Sequence, residues 1–178
     1  CHGHYTTAPK ALENWRNQQI AGIKDPSVMP KAADLKISDD DIRETIETNQ
    51  LKLMKERGSD LTIFSPRASF MAHHIGDLAV SQTWARICND LVARVSQLFP
   101  DRFIMGAMLP QSPGEDPATA VPELVRAVEE LGAVEINLGS VGHAANFLAG
   151  GRIENGHRIR ATGRCGRRSR RQARSLVR

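Results

Sequence analysis

The chain has 178 residues, 40% hydrophobic and 25% charged, with a formal net charge of +4. That length suits one ordinary domain with its own core and is short for two, and the balance excludes a disordered or membrane-embedded chain. No apolar run reaches the length of a membrane span and no basic-then-apolar leader opens the sequence, so a soluble, cytoplasmic protein is expected.

The charge is unevenly spread. From Arg152 to Arg178 there are ten Arg, no Lys and a single acid, Glu154, a local charge of +9. The remaining 14 basic and 19 acidic residues give −5, so the body of the chain is mildly acidic. Three cysteines, Cys1, Cys88 and Cys165, are odd in number and far apart. They offer neither a disulfide framework nor a metal knuckle, which fits a reducing compartment. Cys88, among Trp84, Ile87, Leu91 and Val92, reads as a small buried hydrophobe.

The first element is Cys1-His2-Gly3-His4-Tyr5. Side chains on an extended strand repeat every second residue, so both imidazoles point to one side, as two ligands of one metal ion would. Gly3 adds no bulk between them. From the motif alone, two exposed histidines on a frayed terminus are the alternative. Pro9 then opens a helix with Leu12, Trp15, Gln19, Ile20 and Ile23 at helical spacing. Residues Asp25 to Ile37, with two prolines, form a surface excursion. Ser38 before Asp39, Asp40 and Asp41 is a helix start, because the hydroxyl caps free amides and the carboxylates face the positive end of the dipole. That helix carries Ile42, Ile46, Leu53 and Met54 and stops at Gly58.

Leu61 to Phe64 is the second strand and empties into Ser65-Pro66-Arg67-Ala68-Ser69. Trp84, Ile87, Cys88, Leu91, Val92, Val95 and Leu98 form a helical stripe stopped at Pro100. Phe103 to Leu109 is the third strand, a helix runs from about Ala118 to Leu131 with Gly132 as its stop, and Val134 to Leu138 is the fourth strand. Strands alternating with helices of crossover length imply a parallel α/β sheet with its site at the carboxyl ends of the strands. His2 and His4, Ser65 to Arg67, Leu109 to Gln111 and Asn137 to Ser140 then converge on one face.

Several stretches are together specific: His2-Gly3-His4-Tyr5, Asn89-Asp90-Leu91-Val92-Ala93, Phe99-Pro100-Asp101-Arg102-Phe103, Met108-Leu109-Pro110 and the helix from Ala120 to Gly132. They resemble the amidohydrolase-related family of metal-dependent (β/α)8 barrels, over about Cys1 to Gly139. The resemblance implies a partial TIM barrel of about the first four βα units in residues 1–140. Such a barrel takes ~250 residues or more. Val141 to Arg178 departs from the pattern. Arg-rich and Lys-free, it reads as a frameshifted or truncated gene product in preference to a nucleic-acid arm, since no aromatic follows Phe147.

The resemblance also implies a divalent metal, zinc foremost, on His2 and His4. The remaining ligands and the general acid/base would come from later strands, with little weight on His143 or His157. Within the family, Phe64-Ser-Pro-Arg-Ala-Ser and His73-His74 are most similar to the hydratases of protocatechuate and gallate breakdown. These add water across a double bond of a dienoic tricarboxylate. A decarboxylase of the same family and a catalytically inactive fragment are the alternatives. Arg67 is the candidate for holding a substrate carboxylate through two hydrogen bonds. His73, His74, Asn137 and Tyr5 are further candidate substrate contacts, each with a purely structural role as its rival. The resemblance makes a homodimer plausible, a small polycarboxylate the expected partner, and nucleic acid and membrane unexpected ones.

Overall fold

The computed structural model describes residues 1–67 and 72–138. The Arg-rich stretch and its frameshift reading, the domain boundary at 140, His143 and His157 lie outside the described residues, as do Ala68 and Ser69. Four strands, β1 (His2–His4), β2 (Thr62–Ser65), β3 (Phe103–Met108) and β4 (Glu135–Asn137), form one parallel sheet in the order β1-β2-β3-β4. The pairs are in register at His4 with Ser65, Ile63 with Ile104, and Gly106 with Glu135. Sequential order has no switch point, so successive right-handed crossovers lay their helices on one face and leave the other face inward.

The helices follow from their caps and stripes. Pro9 precedes α1 (Lys10–Gly22), whose buried side chains Trp15, Arg16 and Gln19 lie on one face. The excursion after α1 holds two single turns of 3-10 helix, Pro26–Val28 and Ala32–Asp34. Ser38 caps α2 (Asp39–Thr45): its hydroxyl accepts from the Asp41 amide at 3.1 Å while the Asp41 carboxylate accepts from the Ser38 amide at 2.8 Å. This reciprocal pair satisfies two donors that a helix start otherwise leaves open.

The single helix expected over 39–57 is interrupted by a π-helical turn, Ile46–Leu51, before α3 (Lys52–Glu56). The wider turn moves the buried stripe on by one residue. Ile42, Ile46 and Met54 face the core, whereas Leu53 is 45% exposed. A straight α-helix would have carried the stripe from Ile46 through positions 49 and 53. Positive φ at Gly58 and Gly132, +63° and +76°, follows the two helix ends as the sequence predicts.

The longest helix, α4 (Leu78–Leu98), begins before the predicted stripe, because the Asp77 carboxylate caps the Val80 amide at 2.9 Å. Its buried face packs on β2 and β3. Trp84 is fully buried and stacks on Trp15, ring centroids 6.2 Å apart and 7° from parallel. The Arg16 guanidinium lies 4.8 Å from the Trp84 ring centre. Asn89, also fully buried, treats Met108 as a strand neighbour would. Its amide donates to the Met108 carbonyl and accepts from the Met108 N–H, both at 2.9 Å, and a third bond reaches Glu123. The last helix, α5 (Val121–Glu129), follows a 3-10 turn at Pro117–Ala120 and is joined to α4 by Arg126, which pairs with Glu123 and Asp90.

Cys88 is buried on the Trp84 side of α4, and that burial pushes its thiol well above the ordinary range. Cys1 is exposed. Iodoacetamide at pH 8 is therefore expected to alkylate Cys1 in the folded protein and Cys88 only on unfolding, as peptide mass mapping would show. Rapid native labelling of Cys88 would contradict this packing. Among the described residues no helix is long and apolar enough to cross a membrane.

Candidate metal centre

Strand parity decides what faces inward. On β2, Phe64 packs with Phe103, Met105, Leu91 and Val92 in the core beneath the helices. Its neighbours Ile63 and Ser65 therefore point to the opposite face, with their register partners His2 and His4. On β4, Ile136 packs against the core, so Glu135 and Asn137 share the inward face.

These inward groups meet at one hydroxyl. Ser65 Oγ lies 3.0 Å from His2 Nε2, 2.9 Å from His4 Nδ1 and 3.3 Å from Asn137 Nδ2, which donates to it. The two imidazole rings are 4.8 Å apart, centre to centre. His4 Nδ1 also lies 3.1 Å from the Pro66 carbonyl, and His2 Nδ1 lies 3.3 Å from Glu135 Oε1.

Curvature makes the last contact possible. His2 and Glu135 sit on the first and fourth strands, about 14 Å apart in a flat sheet at ~4.8 Å per strand. Their contact at 3.3 Å shows that the sheet curls inward, as the wall of a barrel does. Gly106, between them on β3, keeps the passage open. A Cβ there would come 3.2 Å from Ser65 Cβ and 3.6 Å from Ile63 Cγ2.

The neighbouring groups favour one placement of the ring protons. A carbonyl can only accept, so His4 carries its proton on Nδ1 toward Pro66. The Glu135 carboxylate, 3.3 Å from His2 Nδ1, favours a proton on that nitrogen, and the Ser65 hydroxyl then donates to His2 Nε2. Both rings are left with the lone pair on Nε2, the form in which imidazole binds a metal ion. The inward histidines thus fit two ligands of one ion. Among the described residues no cluster of three or more His, Cys, Asp or Glu is disposed to hold a metal. The pair needs further ligands from outside these strands.

The other predicted site residues are placed differently. Asn137 joins the histidines through Ser65. Tyr5, of opposite parity to the histidines, is buried beside Phe64 and donates to or accepts from Thr45 Oγ1 at 2.7 Å. His73 is buried beneath the loop, its Nδ1 2.7 Å from Ser81 Oγ on α4. His74 and Arg67 are exposed. Arg67 borders a cleft of about 540 Å³, open to solvent, that Tyr5, Leu12, Pro66 and Trp84 also line and that His2 and His4 do not reach. Ser65 was expected on this face without a role, whereas Glu135 and Gly106 were missing from the predicted site, although a Glu two residues before Asn137 in an apolar strand shares its parity.

Burial pushes the Tyr5 hydroxyl up to about 12, only partly offset by its bond to Thr45 and the field of Arg94. The chain has a single tyrosine. Its absorbance at 295 nm is therefore expected to rise with a midpoint near pH 12 in the folded protein. The protonated phenol stabilises the fold below the unfolded value of about 10, and that contribution is lost as pH rises toward the folded value. A native midpoint near 10 would show a solvated phenol.

An amidohydrolase family model matches residues 1–153. The chain belongs to the amidohydrolase family. It is 56% identical over 138 residues to the 2-keto-4-carboxy-3-hexenedioate hydratase of Sphingobium sp., covering 78% of this chain and 40% of the relative. The crystal structure of 4-oxalomesaconate hydratase from Rhodopseudomonas palustris matches with a TM-score of 0.73 and 69% identity, over 77% of this chain and 40% of that one. An amidohydrolase II protein at 21% identity, with a TM-score of 0.50 over 76% of this chain, shares the fold. The chain thus spans about 40% of the length of both hydratases. Its sheet is the first four strands of an amidohydrolase barrel.

Proposed function

We propose that this amidohydrolase chain is the amino-terminal part of a metal-dependent hydratase. The substrate is an unsaturated keto tricarboxylate of the oxalomesaconate type, and the product is 4-carboxy-4-hydroxy-2-oxoadipate, within protocatechuate and gallate degradation. The observation that carries the reading is the convergence of His2 and His4 on the inward face of the sheet around Ser65. The two hydratases at 56% and 69% identity supply the substrate class.

In the 3-hexenedioate form the double bond joins C3 and C4, conjugated to the keto group at C2. Water adds with its oxygen at C4 and a proton at C3, so every atom of water is retained and no carbon is lost. A divalent metal, zinc foremost because the donors are imidazoles, would be held by His2 and His4 and supply Lewis acidity and a lowered water pKa. The chain's own residues prepare the site. Ser65 and Asn137 hold the two rings in place, and the Pro66 carbonyl keeps the proton of His4 on Nδ1. The general acid/base belongs to later strands. Arg67, exposed just after β2, and the exposed His74 are the candidates to meet substrate carboxylates. The same reading carries a cytoplasmic homodimer acting on a small polycarboxylate, with no nucleic-acid partner.

Joining residues 1–138 to the carboxyl-terminal part of the Rhodopseudomonas enzyme tests this. The joined barrel is expected to bind one metal ion and hydrate oxalomesaconate, while the 178-residue chain alone holds metal weakly and does not turn over. Stoichiometric tight metal and turnover by the chain alone would show that two histidines and these four strands suffice. A metal-free, inactive joined barrel would overturn the reading.

A further inference from the structure

We propose that Glu135 is a positioning residue for the metal centre, acting through His2. This rests on the metal reading above. Glu135 occupies the inward face of β4, directly beside Gly106 in register. Its carboxylate reaches across the width of two strands to His2 Nδ1 at 3.3 Å. Among the described residues no Lys or Arg forms an ion pair with it. A half-buried carboxylate on the inside of a sheet is costly unless a polar or charged group faces it, and here His2 Nδ1 does so at 3.3 Å.

The consequence is specific to one ring and one nitrogen. A proton held on His2 Nδ1 leaves Nε2 as the lone-pair nitrogen, and the contact also sets the ring's rotation about its side-chain axis. For His4 a backbone carbonyl does the same work and cannot be mutated away. His2 relies on a side chain, so its tautomer depends on one carboxylate contributed by the far edge of the sheet. Gly106 is the second requirement, because a Cβ there would press on Ser65, the hydroxyl residue between the two rings, at 3.2 Å. The strand-four carboxylate therefore couples closure of the sheet to the readiness of the first ligand.

Zinc affinity of the joined barrel, measured by competition with a chromophoric chelator, and the tautomer of His2, read from long-range ¹H–¹⁵N correlation spectra of its metal-free form, test this together. For Glu135→Ala the zinc affinity is expected to fall about 10- to 100-fold, the range for loss of such an outer partner. His2 is expected to move from the Nδ1–H form toward a mixture, while His4 keeps its tautomer. Glu135→Gln, whose carbonyl oxygen still accepts from Nδ1, is expected to keep the tautomer and lose less affinity. The thermal midpoint of the metal-free protein should be the same for Gln and wild type, which separates positioning from folding. Unchanged zinc affinity and an unchanged His2 tautomer in Glu135→Ala would overturn the role of Glu135. A joined barrel with His2 in the Nδ1–H form that takes up no zinc would instead overturn the metal reading.

Discussion

Replacing His2 or His4 by Ala is expected to lower turnover of the joined barrel about a thousandfold or more. Metal polarisation of a reacting oxygen contributes several kcal/mol at the transition state, and each ~1.4 kcal/mol is a factor of ten. Both rings project from one three-residue strand toward Ser65, so neither can stand in for the other. The loss should lie in kcat and in metal content together, and zinc at high concentration should restore part of it. Neither ring is deeply buried, and removing one leaves no large cavity in the core. Stability is therefore expected to change by about 1 kcal/mol or less. A variant that loses its fold with its activity would show these histidines to be structural. One that keeps full activity would remove the metal site from this strand.

The largest expected effect on stability is at Trp84. Trp84→Ala is expected to cost about 3–5 kcal/mol, the range for removing a fully buried large aromatic, and to lower the thermal midpoint by roughly 10 °C. The ring is fully buried, stacks on Trp15 and carries the Arg16 guanidinium on its face. Its removal leaves a cavity and also leaves Arg16 buried without its aromatic cover. Burial already lowers the Arg16 pKa, an indication of how strongly the site disfavours that charge. Trp84→Phe, which keeps a ring, should lose less than half as much. Chemical unfolding followed by fluorescence reads both variants. A loss below about 1 kcal/mol for Trp84→Ala would show the helix layer to be loosely packed here.

The alternation of strands and helices was legible because each strand is a short apolar run and each helix carries a stripe with a recognisable start or stop. Ser38, Gly58 and Gly132 mark ends where the structure has them. The π-helical turn was not legible, since Leu53 and Met54 are both apolar and only packing decides which faces the core. The start of α4 was placed too late because Leu78 to Thr83 shows no apolar stripe, and it is the Asp77 cap that begins the helix.

The convergence of His2 and His4 was legible, and what supports the two rings was obscure. Period-two alternation puts His2 and His4 on one side of β1 from sequence alone. The partners Ser65, Gly106 and Glu135 are brought to those rings by register and sheet curvature, neither of which is written in a local pattern. Tyr5 and His73 were chosen for chemistry, yet the structure gives both to packing, against Thr45 and Ser81. Adjacent positions such as His73 and His74 differ in burial for the same reason: one turns under the loop, the other outward.

Carbon-13 NMR of oxalomesaconate turnover by the joined barrel, with carbon dioxide measured in the same reaction, tests the central claim most directly. The account predicts a new carboxylate-bearing carbinol carbon at C4, no carbon dioxide, and loss of the signal when His2 and His4 are both Ala. Release of carbon dioxide without a carbinol carbon would contradict it and make the barrel a decarboxylase.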